Sequence, residues 1–226
     1  MKKFDVLWGV ALLAVISLFI IPSTNNAITA AGEIHPYLAG FVKFAVLATM
    51  GELLALRIIT GDWKKPTGLI YRTLIWGFLG ITFVLMFPLY AIGVGSVVHM
   101  GLLPDGGKLG ASFFTSALIN LGYAPTFMAF HRLTDTFIDL GEGKLDRIFK
   151  VKLADVVRKI DWNGYVSFVV LKTVPFFWIP AHTITFMLPP QYQVVFAAFL
   201  SIALGGILAF AKKRSAVTFD SKTAAA

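Results

Sequence analysis

Long apolar runs separated by short polar connections dominate the sequence. Six runs are long enough, or nearly long enough, to cross a lipid bilayer: 6–21, 36–59, 74–97, 109–130, 162–188 and 194–211. A helix pairs all of its backbone groups internally, so each run is expected to be helical. The pattern predicts an all-α, polytopic transmembrane bundle of about six spans, forming one domain over 1–214, with a disordered polar tail at 215–226.

The longest connection, between the fourth and fifth runs, has a pattern of its own. Apolar residues recur in it at helical spacing with basic residues between them: Leu145, Phe149, Leu153, Val156 and Ile160. This favours a short amphipathic helix lying on the inner membrane surface. The alternative interpretation is a solvated helical loop.

Composition and charge fit this picture. The chain is 57% hydrophobic and 14% charged, with a formal net charge of +8. Lys and Arg gather at the N-terminus, after the second and fourth runs, and after the sixth, so the positive-inside rule predicts that both termini are cytoplasmic. The expected partners are the lipid bilayer and anionic lipid at the basic face, not nucleic acid.

The first run admits two interpretations. Small residues at 29–31 resemble a signal-peptide cleavage region. A retained first helix is favoured, because the inside–outside alternation needs this span. Lys2 and Lys3 lead directly into the run, without an Arg- and Ser-rich leader, so a bacterial-type plasma membrane is expected over an organelle.

Catalytic chemistry has little support in the sequence. There is no cysteine, and the motifs of zinc proteases, serine hydrolases and phosphate-binding loops are missing. We therefore expect no enzyme, cofactor or metal site. Asp135, Asp139 and Glu142 are close enough in sequence to suggest a divalent cation, but the basic residues that follow favour a solvated charged loop.

Polar residues inside the apolar runs are the candidates for function. An isolated charge at the bilayer centre costs about 3 kcal/mol, so these side chains are expected to face protein or water. The predicted lining of a polar pathway is Glu52, Lys172, His182, Thr185, Lys43 and Asn120. Glu52 and Lys172 lie near the inner ends of their helices, which makes an ion pair between them possible, whereas Lys43 lies nearer the outer half.

The fifth run concentrates these features. Trp178, His182 and Thr185 share one helical face, and His182 is of a type that titrates near neutral pH. An interhelical hydrogen bond is the alternative role for His182, and for Asn120 the structural role is favoured. Helix kinks are expected at four prolines: Pro88, Pro125, Pro175 and Pro180. Gly77 and Gly80 would offer a neighbouring helix a strip of small residues.

Three stretches resemble the 22-kilodalton peroxisomal membrane protein family, also called the Mpv-seventeen family. The spacing of Trp178, Phe186 and Pro190 is similar to that family's C-terminal motif, although His182 and Thr185 replace its usual Gln and Asn. The segment 118–125, which ends at Pro125, is similar to a second motif. Gly51 and Glu52 resemble the Gly-Asp pair in the first conserved helix of that family.

The resemblance implies a distant, bacterial-type member of that family: a small membrane protein that forms a pore for ions or small solutes, possibly as a homo-oligomer. The polar residues in the spans favour the same class, a channel or passive carrier. Two alternatives remain. One is a noncatalytic scaffold whose basic face binds anionic lipid or a protein partner, and the weaker one is a proton- or ion-coupled transporter.

Overall fold

The computed structural model describes residues 3–223, with side chains for residues 3–207. Within this range the regular elements are all helical. The α-helices are α1 (Lys3–Ile20), α2 (Pro22–Ile34), α3 (Pro36–Thr60), α4 (Leu69–His99), α5 (Gly107–Leu140), α6 (Leu145–Ile148), α7 (Leu153–Lys159), α8 (Trp162–Gly164), α9 (Ile179–Met187) and α10 (Pro190–Thr223). A π-helix, Tyr165–Trp178, joins α8 to α9. The prediction of an all-α bundle is confirmed.

Five helical segments are long and apolar enough to cross a membrane: Lys3–Ile20, Leu69–His99, Gly107–Leu140, Trp162–Met187 and Pro190–Ile207. They correspond to five of the six predicted runs, and they indicate a multi-pass membrane protein. The remaining run forms α3, which has 25 residues and carries Lys43, Glu52 and Arg57. It is not among the five spans, although it lies at the centre of the bundle.

The bundle is built around α3. This helix packs along both α4 and α10, while α5 packs against α4 and α9. The first helix lies antiparallel to α3, because Asp5 pairs with Arg57 at 2.7 Å and Trp8 Nε1 donates to the carbonyl of Met50 at 3.2 Å. These contacts make α1 part of the packed bundle.

The two basic connections meet at one end of the bundle. Gly68 and Gly143 both have positive φ angles, of 62° and 66°, and their backbones approach closely. We call this end, which holds residues 61–68 and 141–161, the basic end. The predicted arrangement of basic loops on a common side agrees with this placement.

The fifth run departs most from an ordinary helix. Residues 165–178 are wound as a π-helix of 14 residues, whose backbone bonds join residues five apart. Pro175 lies inside it and has no N–H to donate, so an α-helical ladder would be broken there. Pro180 lies at the start of α9, which continues directly from the π-helix, so a second backbone donor is missing there. Pro88 and Pro125 lie within the continuous helices α4 and α5.

The predicted surface helix is divided in two. α6 ends at Ile148 and α7 begins at Leu153, with non-helical residues between them. Val156 and Ile160 are buried, whereas Phe149 and Leu153 are 80% and 60% exposed. The apolar residues therefore face two directions, toward α5 and away from the protein. The tail predicted to be disordered is helical as far as Thr223, and its last three residues lie outside the described ones.

Close contact between α3 and α4 depends on two glycines. A Cβ atom at Gly80 would overlap the backbone carbonyl oxygen of Gly40, and one at Gly40 would lie 2.9 Å from the carbonyl oxygen of Gly80. Gly77 abuts the ring of Phe41 in the same way. The predicted strip of small residues at Gly77 and Gly80 therefore packs on α3.

We expect Gly80→Ala to destabilise the protein by about 1–3 kcal/mol, because backbone atoms of α3 have no room to retreat from the added methyl group. The measurement is the midpoint of thermal unfolding in detergent. Gly93→Ala is the matched control on the same helix, since a Cβ at Gly93 meets nothing within 4 Å. Equal effects of the two changes would contradict the proposed close packing.

Candidate functional site

Two cavities follow one another along the bundle. The inner cavity, of about 280 Å³, reaches toward the basic end, and the outer cavity, of about 420 Å³, lies at the opposite end. The same three helices line both. On α3 the lining passes from Gly40 and Lys43 in the outer cavity to Gly51 and Glu52 in the inner one. The same order holds on α4 and α10, so the two cavities lie at successive levels of the bundle.

A layer of phenylalanine rings separates the cavities. Phe44 stacks on Phe83 with ring centroids 4.8 Å apart, Phe83 meets Phe87 edge to face at 5.1 Å, and Phe87 lies 4.9 Å from Phe186. Each of the four rings is at most 8% exposed. We call these residues the aromatic layer. Phe44 and Phe83 contribute to the inner cavity and Phe87 to the outer one, so the layer lies between the two cavities.

A charged network lies where the inner cavity approaches the basic end. Arg72, whose side chain is 8% exposed, contacts Glu52 at 3.2 Å, Asp135 at 2.8 Å and Asp139 at 2.6 Å. Its Nε donates to the carbonyl of Thr67 at 2.9 Å. One guanidinium therefore joins α3, α4 and α5, and each of its three nitrogens finds an acceptor.

Aromatic rings extend this network along the cavity wall. Trp76 Nε1 donates to Glu52 Oε2 at 3.3 Å, and the ring of Trp76 packs on that of His131 with centroids 4.1 Å apart. His131 Nδ1 lies 3.6 Å from Asp135 Oδ2. Glu52 and Asp135 consequently line the cavity with Arg72 behind them.

A second polar group lies deeper in the inner cavity. Asn120 Nδ2 donates to the carbonyl of Ser116 at 2.8 Å and lies 3.0 Å from His182 Nδ1. Since the amide nitrogen is a donor, Nδ1 of His182 must accept, and the imidazole proton is on Nε2. Trp178 packs on His182 with ring centroids 5.0 Å apart. Within the described residues, His182 Nε2 has no hydrogen-bond partner.

The structure brings together three of the predicted pathway residues. Glu52, Asn120 and His182 line the inner cavity, while Lys43 lines the outer cavity, together with Glu33. Lys43 and Glu52 thus border different cavities, in agreement with the expectation that Lys43 lies nearer the outer half.

Two predicted pathway residues lie elsewhere. Thr185 is fully buried, and its hydroxyl donates to the carbonyl of Ala181 at 3.0 Å, so it stabilises α9 and does not line the cavity. Lys172 is exposed, because the π-helix turns Thr173 and Val174 toward the bundle instead. The expected ion pair between Lys172 and Glu52 is therefore replaced by the pair between Arg72 and Glu52.

Sequence reasoning missed Arg72, which it assigned to a basic loop. The available signal was position: Arg72 follows the first apolar residues of α4 and so lies inside the helix.

The acidic cluster is also reassigned by the structure. Asp135 and Asp139 bind Arg72, and Glu142 pairs with Arg147. Over the described residues, no group of three or more acidic or histidine side chains has the arrangement of a metal site.

Family models, curated proteins and solved structures give no match. The resemblance to the 22-kilodalton peroxisomal membrane protein family therefore remains a hypothesis that rests on the quoted residues.

We expect Arg72→Met to cost about 3–5 kcal/mol of stability, since it leaves Glu52 and Asp135 without their guanidinium partner in a buried setting. Chemical or thermal unfolding in detergent measures this loss. Arg158→Met is the matched control: Arg158 pairs with Asp155 on the surface, with 77% of its side chain exposed, and such pairs contribute about 0–1 kcal/mol. A loss for Arg72→Met no larger than that of the control would refute a structural network.

Proposed function

We propose that the protein is a membrane channel or passive carrier for ions or small solutes, and that the inner and outer cavities are its pathway. The observation that carries the proposal is their succession along the bundle, with α3, α4 and α10 lining both and the aromatic layer between them. A plain membrane anchor needs neither successive cavities nor charged groups at their borders.

The distribution of polarity supports the same function. Glu33 and Lys43 border the outer cavity, Glu52 and Asp135 border the inner one, and phenylalanine rings lie between. An apolar constriction between two cavities that are bordered by charged groups opposes the passage of hydrated solutes until the rings move. The described arrangement therefore corresponds to a closed state. The resemblance to a pore-forming family implies the same class of function.

Anionic lipid is the partner proposed for the basic end. Phe149 and Leu153 are exposed there beside Lys150 and Lys152, which combines an apolar anchor with positive charge. This surface also favours the second candidate function, a noncatalytic scaffold on an anionic membrane. Cytoplasmic termini and a bacterial-type plasma membrane remain part of the proposal.

We expect Phe87→Ala to raise solute flux in proteoliposomes on the order of tenfold, since lowering a barrier by about 1.4 kcal/mol has that effect. The measurement is the influx of a graded series of neutral polyols and small cations into liposomes that contain purified protein. Phe83→Ala serves as a second variant in the same layer. Phe176→Ala is the control, because that ring is 81% exposed and lies outside the layer.

The expected result is faster flux and a larger size limit for both layer variants, with Phe176→Ala unchanged. Gel filtration and circular dichroism verify that each variant is folded, since removing a buried ring costs about 3–5 kcal/mol. Folded protein that leaves liposomes sealed, for the original chain and both layer variants, would overturn the pathway and favour the scaffold.

A further inference from the structure

The inner cavity has a composition that selects for one class of solute. Its walls carry many aromatic rings: Phe44, Trp76, Phe83, Tyr123, Phe127 and Trp178. Apart from two histidines, Glu52 and Asp135 are the only acidic or basic residues among the described ones that line it. Arg72 and Arg132 are not part of the lining. Aromatic faces attract cations, and the negative charge of the two carboxylates attracts them as well.

Arg72 does not exhaust the acceptors of these carboxylates. Asp135 Oδ2 contacts Arg72 at 2.8 Å, but Asp135 Oδ1 is buried and has no hydrogen-bond partner within the described residues. A buried carboxylate oxygen without a donor is costly, so a ligand N–H would be stabilised at this position. Among the described residues, one carboxylate oxygen at the acidic end of the cavity, Asp135 Oδ1, therefore lacks a donor.

The deeper end of the cavity is short of an acceptor. His182 is 5% exposed and keeps its proton on Nε2, because its Nδ1 accepts from Asn120. Nε2 is buried and unpartnered within the described part of the chain. Between Asn120 and His131, α5 rises about 1.5 Å per residue, which places the two ends of the cavity about 16 Å apart.

We infer that the inner cavity binds an elongated organic cation: an ammonium group at Glu52 and Asp135, an apolar or aromatic body along the ring-lined wall, and a hydrogen-bond acceptor directed toward His182. This inference names the solute class and rests on the proposed function in using the same cavity as the pathway. An inorganic ion would satisfy the carboxylates but would leave the aromatic walls and His182 unused.

The test is equilibrium dialysis of 4-phenylbutylammonium against purified protein in detergent. Two probes of similar shape serve as comparisons, the neutral 4-phenylbutanol and the anionic 5-phenylpentanoate. We expect the cation to bind at least ~10-fold more tightly than either. Glu52→Gln and Asp135→Asn should each remove most of this preference. Asp146→Asn, which neutralises an exposed carboxylate on α6, should retain it.

A second arm tests the deeper end. We expect 4-(4-methoxyphenyl)butylammonium, which adds an ether oxygen, to bind more tightly than 4-phenylbutylammonium, and His182→Leu to abolish that advantage while leaving the preference for cations. Equal binding of cation, alcohol and carboxylate by folded protein would overturn the inference.

The proposed function and this inference fail separately. Flux of neutral polyols without any preference for the ammonium probe would support the pathway and refute the cation site. Saturable binding of the ammonium probe by protein that leaves liposomes sealed would support the site and refute transport.

Discussion

A buried guanidinium in an apolar bundle must be paired with acceptors, and this constraint organises the basic end of the molecule. Arg72 meets it with carboxylates from two other helices and a backbone carbonyl from the preceding connection. The network fixes α3, α4 and α5 relative to one another, because displacement of any one helix would separate charges in a medium of low dielectric constant. It also holds Glu52 and Asp135 at the wall of the inner cavity. The stability of the fold and the chemistry of the site therefore depend on the same side chain.

The aromatic layer lies farther along the bundle than this network, between the inner and outer cavities. Close contact of α3 with α4 at Gly40 and Gly80 brings Phe44 and Phe83 together, and their stacked rings close the space between the cavities. Rings joined by edge-to-face and stacked contacts form a compact barrier between the cavities. A rigid charged end and a closed apolar middle are the arrangement expected of a gated path.

Much of the fold follows from the sequence. Length and apolarity predict the long helices, and the positions of Gly77 and Gly80 predict a helix contact that the structure contains. The candidate site was harder to predict. Glu52, Asn120 and His182 were identified because polar side chains in apolar runs are costly, but the same argument misplaced Lys172, which is exposed on a π-helix that turns its neighbours Thr173 and Val174 inward. Arg72 was missed because its partners lie 20 to 67 residues away along the chain, and one sequence gives no sign of that pairing.

The most direct test is to determine from which side of the membrane each cavity is accessible. The chain has no cysteine, so single cysteines report without background. Ser201→Cys places a thiol at the inner cavity, Ala39→Cys at the outer cavity, and Ala198→Cys at a fully buried reference position. A membrane-impermeant thiol reagent, applied to either face of sealed vesicles, should label Ser201→Cys and Ala39→Cys from opposite faces and leave Ala198→Cys unmodified. Labelling of both cavity positions from the same face would contradict a single path closed by the aromatic layer.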